Sequence, residues 1–207
     1  MWGSEKHLIK AITGRSVPSG RLPVDVGAIV VNVDTAYEIA EAFSKGIPLY
    51  QRVITIAGDC INEPGNFLVR LGTPFEFLIE KAGGVKGEVK KLISGGPMMG
   101  VAQYSTSVPT LKTTSAILAL SEAAETFDDG SPCIRCGQCV KKCPMRLMPL
   151  YLSKYAEAND LEMCEKYHIL DCIECGLCSY LCPGRQSPLH HIRVAKQKIL
   201  ENRRKNK

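Results

Sequence analysis

No window of this 207-residue chain approaches the ~18 to 20 uninterrupted apolar residues that a membrane span requires. The sequence therefore predicts membrane association only at the periphery or through partners. A secretory signal pattern is also lacking, which argues against the oxidising compartment that a disulfide framework needs. Glycine stands at 18 positions, yet never in a G-x-G-x-x-G or Walker arrangement, so no standard phosphate cradle is encoded. Aromatic residues make up only 6%, and with no aromatic-basic platform or reading motif, nucleic-acid binding is not expected. The formal net charge of +5 is mild and gathers late, in Arg193, Lys196, Lys198, Arg203, Arg204, Lys205 and Lys207. Such a tail reads as a solvated helix end, with anionic lipid or an acidic protein as alternative contacts. Hydrophobic residues at 45% suffice for genuine cores, in one large or two to three small domains.

What is abundant is cysteine, and it is ordered. Cys133-Ile-Arg-Cys136-Gly-Gln-Cys139-Val-Lys-Lys-Cys143-Pro144 is followed by Cys172-Ile-Glu-Cys175-Gly-Leu-Cys178-Ser-Tyr-Leu-Cys182-Pro183. Both runs have C-x2-C-x2-C-x3-C-P spacing, a duplicated pattern that points to two [4Fe-4S] clusters. Three cysteines at two-residue gaps let one tight loop supply three thiolates, and Gly137 and Gly176 allow the loop to approach closely. The longer gap and the proline then turn the chain away, so the fourth ligand comes from the other run, as in two-cluster ferredoxins. This assigns Cys133, Cys136, Cys139 and Cys182 to one cluster, and Cys143, Cys172, Cys175 and Cys178 to the other. Zinc would call for two pairs of ligands, and no histidine completes either run. Ten cysteines and oxygen-sensitive clusters point to a reducing compartment, a bacterial or archaeal cytoplasm. Cys60 and Cys164 lack ligand spacing and read as small buried hydrophobes.

Along the chain, Ser4 to Thr13 predicts a helix with Leu8, Ile9 and Ile12 on one face, capped by Ser4 and stopped by Gly14. A loop holding Pro18 and Pro23 follows. Ala28 to Val33 has the pattern of a strand buried on both faces. Thr35-Ala-Tyr-Glu38 reads as a capping box opening a helix that turns Ile39, Ala42 and Phe43 inward. Val53 to Ile56 and Phe67 to Leu71 predict a hairpin, and Thr73-Pro-Phe-Glu76 a second capping box. Glu88 to Ser94 and Ala116 to Leu120 add strands, which together suggest a β-grasp. Gly95-Gly-Pro-Met-Met-Gly100 reads first as a tight backbone crossing and second as a ligand-facing loop. Ala123 to Ser131 is an acidic linker. Pro149 to Ala158, Asp160 to His168 and a terminal helix from Pro188, with Ile192, Ala195 and Ile199 inward, complete a helical cluster domain. His190 and His191 read as surface or packing residues.

The order of parts is then recognisable. Glu5-Lys-His-Leu-Ile, Thr13-Gly-Arg-Ser-Val-Pro-Ser-Gly20, Gly65-Asn, Leu71-Gly-Thr-Pro, Ser94-Gly-Gly-Pro-Met-Met-Gly100 and the two cysteine runs together resemble the RnfC subunit family of the Rnf (Rsx) ion-translocating electron transport complex. The resemblance implies an α+β multidomain chain: residues 1–50 as the end of an NADH/FMN-binding α/β domain, 51–122 as an SLBB-type β-grasp, and 123–207 as a helical two-cluster ferredoxin domain. The family's glycine-rich flavin and nicotinamide loops would precede Met1, so the chain reads as a C-terminal part. Val31-Asn-Val-Asp-Thr35 is similar to the N-V-E-T segment of complex I flavin subunits, which would put Asn32 and Thr35 near FMN; a plain helix cap by Thr35 is the competing reading.

The function this implies is a one-electron relay. A flavin exchanges hydride pairs with nicotinamide, while each cluster carries a single electron towards other subunits of a membrane complex. A ferredoxin or acidic redox partner is expected, with the chain peripheral on the cytoplasmic side of the membrane, in a translocase that couples NADH and ferredoxin chemistry to ion transport. Lys141, Lys142 and Arg146 read as a solvated face, with a raised cluster potential or the docking of an acidic partner as the alternatives. The alternatives are a cobalamin-reductase-type flavin and iron–sulfur protein, and a module whose clusters only staple an interaction surface.

Overall fold

The computed structural model describes residues 4–121 and 131–205. Contacts group the chain into two compact units, one made of Met1–Val31 with Asp128–Lys207 and the other of Asn32–Phe127. The linker read from Ala123 onward lies outside the described residues up to position 130.

The second unit is built on a five-stranded sheet. β1 (Gln51–Ala57) and β2 (Gly65–Arg70) form the expected antiparallel hairpin. β3 (Lys91–Ser94), β4 (Val101–Gln103) and β5 (Ala116–Leu120) complete the order β2-β1-β5-β3-β4. β5 lies parallel to β1 in the middle of the sheet, while the outer pairings are antiparallel. One helix, α3 (Phe75–Lys81), crosses a face of it. Period-two alternation puts Ile54 and Ile56 of β1, with Ile117 and Ala119 of β5, on the face that receives Phe75, Leu78 and Ile79 of α3. Each isoleucine buried in this way contributes about 2 kcal/mol. Gly58 ends β1 at φ 124°, where a Cβ would sit 2.0 Å from the Ala119 carbonyl oxygen; only glycine permits the two central strands to meet there. The loop from Gly95 to Gly100 is the tight turn that joins the neighbouring antiparallel strands β3 and β4, and a Cβ on Gly100 would lie 2.4 Å from the Ile93 side chain. β4 has no counterpart in the sequence reading, because three residues with two of them exposed carry no alternation.

Both capping boxes fail. α2 (Val33–Lys45) is capped by Asn32, whose side-chain oxygen accepts the Asp34 N–H at 2.9 Å, so the cap lies upstream of Thr35. Thr73 donates its hydroxyl to the Arg70 carbonyl at 2.8 Å instead of capping α3, which starts after Pro74. No residue of α2 is buried, and Phe43 is 89% exposed rather than inward. Its link to the sheet is polar, the Asp34–Arg52 pair at 3.1 Å. The apolar run from Ala28 joins no strand, and Ile29 is 82% exposed. A lone run without a ladder partner leaves its backbone groups to water, so it stays irregular.

The first unit is helical. α1 (Glu5–Thr13) buries Ile9, while Leu8 and Ile12 remain outward, and Gly14 stops it in the left-handed conformation. His7 Nε2 meets the Pro144 carbonyl at 3.1 Å, and Lys6 faces Asp171 at 3.7 Å; both attach α1 to the cysteine region. α4 (Gln138–Lys141), α5 (Pro149–Glu157), α6 (Leu161–Lys166), α7 (Leu177–Tyr180) and α8 (Pro188–Lys205) follow. α5 and α8 pack on each other around Leu147, Leu152, Cys164, Ile169, Ile192, Ala195 and Ile199. The inner face expected of α8 is present, and the end of that helix is partly paired, through Arg203 with Glu165 at 2.8 Å.

Candidate iron–sulfur centre

Both cysteine runs fold the same way, residue for residue. Arg135 and Glu174, each before the second cysteine of its run, have φ of 55°. Gly137 and Gly176, just after it, have 72° and 81°, and Arg146 and Arg185, beyond the last cysteine, have 55° and 50°. Left-handed residues at these places wind the chain tightly on one side. Backbone amides then point at sulfur: the N–H of Leu147 donates to Cys143 Sγ and that of Gln186 to Cys182 Sγ, both at 3.4 Å. The Glu174 N–H donates to Cys172 Sγ at the same distance.

Two cavities result. One, of about 360 Å³, is lined by Cys133, Cys136 and Cys139 together with Cys182. The other, of about 20 Å³, is lined by Cys172, Cys175 and Cys178 together with Cys143. Each thus takes three cysteines from one run and one from the other. All ten cysteines are free. Four sulfurs around each cavity, with amides aimed at several of them, form a donor set that fits a [4Fe-4S] cluster. Among the described residues, no three His, Cys, Asp or Glu side chains group as a single metal ion requires.

The two sites differ in surroundings. Cys133 and Cys136 are exposed and Ile134 is 68% exposed. The second site has Cys175 buried and an apolar wall that includes Met145, Leu147, Leu152, Leu189 and Ile192. Burial there pushes the Cys178 thiol up to about 11 and raises Cys172, while burial also raises Cys139 in the first site. To hold iron, these cysteines would have to serve as thiolates, with their protons released.

Outside the cysteines, a charged cluster escapes sequence reasoning. Glu174 Oε2 accepts from Arg193 Nε at 3.0 Å, and its Oε1 accepts from Lys196 Nζ at 2.9 Å. Lys196 Nζ also donates to the Cys172 carbonyl at 2.7 Å. The signal in the sequence is the exchange of Arg135 for Glu174 at matching places of the two runs. Burial opposes ionisation of Glu174, but the hydrogen bonds and charges of Lys196 and Arg193 outweigh it and hold the carboxyl below its usual range. His191 bonds Ser153 Oγ at 2.8 Å and Glu157 at 2.9 Å, a packing role like that of His190 against it. Cys60 and Cys164 are buried, and burial raises both thiols. Asn32 and Thr35 occupy the exposed first turn of α2 and line neither cysteine cavity.

Comparison with known proteins accounts for these parts in chain order. Residues 1–41 match the Nuo51 FMN-binding domain, 53–102 the SLBB domain and 132–186 the 4Fe-4S dicluster domain. The chain is 50% identical over 203 residues to the C subunit of the Na(+)-translocating ferredoxin:NAD(+) oxidoreductase complex of Acetobacterium woodii, covering 98% of this chain and 46% of that protein. It is 52% identical over 171 residues to the C subunit of the proton-translocating ferredoxin:NAD(+) oxidoreductase complex of Clostridium ljungdahlii, covering 82% and 37%. The C subunit of the ion-translocating oxidoreductase complex of Rhodobacter capsulatus is 42% identical over 168 residues, 81% of this chain and 32% of that protein. The chain spans less than half the length of each of these relatives. No helix among the described residues is long and apolar enough to cross a membrane. Along the stretch that it shares with them, the chain is a homologue of the C subunits of the ion-translocating oxidoreductase complexes, the RnfC family, with a flavin-domain segment, an SLBB domain and a 4Fe-4S dicluster domain in that order.

Proposed function

We propose that this chain relays single electrons through two [4Fe-4S] clusters within a membrane complex that couples NADH and ferredoxin chemistry to ion translocation. Cys133, Cys136, Cys139 and Cys182 hold the first cluster, and Cys143, Cys172, Cys175 and Cys178 the second. The observation that carries this reading is the gathering of each of these quartets around its own cavity. When bound, a cubane supplies a one-electron couple. The chain's own residues supply the thiolates, direct amide N–H groups at sulfur, and exclude water from the second site with an apolar wall.

The division into 1–50, 51–122 and 123–207 belongs to this proposal. So do FMN near Asn32 and Thr35 and NAD(H), both in the full-length protein, and a peripheral place on the cytoplasmic face. The match of residues 1–41 to an FMN-binding domain supports the flavin. The first site, with Cys133 and Cys136 exposed, suits a ferredoxin or another acidic redox partner, and Arg135 and Lys154 beside it supply positive charge. Anaerobic reconstitution tests the relay: about four iron and four sulfide per quartet are expected, with cluster signals by electron paramagnetic resonance on dithionite reduction. Zinc, or protein without acid-labile sulfide, would overturn it.

A further inference from the structure

We propose that Lys196 is a positioning residue that raises the reduction potential of the second cluster above the value its own loop would set. The inference rests on the ligation described above. Both cysteine loops have the same backbone course, so their clusters would be near-equivalent if side chains did not distinguish them. Beside the difference in burial described above, the charge of the three-cysteine loops differs at one position. Arg135 in the first loop is exposed, where water and salt screen its charge. Glu174 in the second loop brings a negative charge between two ligands, and α8 answers it with two positive ones.

Of these two, Lys196 is hydrogen-bonded to a ligand residue. Its ammonium group touches the carbonyl of Cys172 itself, and its side chain is 19% exposed, against 36% for Arg193. Reduction adds one electron and one unit of negative charge to the cluster without breaking a bond. A half-buried positive charge held at a ligand's own peptide favours that reduced state, because screening is weak there. The same contact fixes the loop, since Lys196 ties the Cys172 carbonyl to the side chain of Glu174, the residue whose N–H donates to Cys172 Sγ. One residue therefore fixes the loop and biases its charge.

The experiment is a redox titration by electron paramagnetic resonance on the iron-loaded chain, first unaltered, then as K196Q, K196R and E174Q. K196Q should lower the potential of one cluster and leave the other in place, while K196R stays near the parent. E174Q, which removes a negative charge without touching the lysine, should raise the potential of that same cluster. If K196Q loses iron, the contact is structural as stated, and E174Q still decides the electrostatic part by the sign of its shift. Potentials unmoved in both K196Q and E174Q, with iron retained, would overturn the proposal, as would equal shifts in both clusters. Failure of the ligation reading looks different, because the unaltered chain would then lack one or both clusters.

Discussion

Asp59 and Ser121 show how one residue pair closes the end of the central strands. The Ser121 hydroxyl donates to Asp59 Oδ2, and the Ser121 N–H donates to Oδ1 at 3.0 Å. The side-chain bond first, and then the backbone bond, hold the Asp59 carboxyl below its usual range. A carboxyl depressed in the folded state contributes stability above its unfolded value, near pH ~3.9 for aspartate. That contribution is lost as the pH falls through the lower, folded value. Ser121→Ala should therefore move the Asp59 titration upward and shrink the acid-range stability difference, read by carboxyl carbon NMR. An unchanged Asp59 titration in the variant would contradict the assignment.

Among the elements, the strands and the helices of the cluster unit show best what patterning can specify. Leu152 of α5 is completely buried between α5 and α8 and also lines the second cysteine cavity. Truncation to alanine should cost about 3 kcal/mol, measured by denaturant unfolding with near-ultraviolet dichroism of the packed Tyr151, Tyr155 and Tyr167 rings as the local probe; a loss under about 1 kcal/mol would show that the site collapses without penalty. Short apolar runs of strand length made β1 and β5 readable, and in the structure each inward isoleucine is followed by a residue that is not buried, Thr55 after Ile54, Ala57 after Ile56 and Leu118 after Ile117. Leu152 was not readable in the same way, since Leu150 and Tyr151 beside it fit a helical stripe equally well and only the position of α8 selects among them. The false strand at Ala28 and the unburied face of α2 share one cause: periodicity reveals an apolar face but not the surface that covers it. Capping boxes misled for a related reason, as Asn32 already accepts the Asp34 N–H in the first turn of α2, upstream of Thr35.

At the scale of the whole molecule, the proposed ligation would hold the cluster unit together by exchanging a ligand between its halves. Cysteine spacing made all eight proposed ligands legible, since thiolate chemistry constrains spacing directly. The ring of charge around Glu174 was not legible, because it depends on where α8 passes in space. The crossed pairing can be tested by iron counts in double variants. Under the arrangement proposed here, Cys133 and Cys182 serve the same cluster, although they stand in different runs. C133S and C182S should each leave about four irons, and the double variant C133S/C182S should also leave about four, because the second quartet is intact. C133S/C143S, in contrast, damages both quartets although both residues stand in one run, and should leave almost none. Were each run to hold its own cluster, these results would trade places, with C133S/C182S losing both clusters and C133S/C143S keeping one. The interlock also predicts the order of failure: with both clusters gone, the two runs keep only protein contacts such as α4 against α7 and the Gln186 side chain bonded to the Ser131 carbonyl at 2.8 Å, so the iron-free unit should unfold at lower denaturant than either single variant.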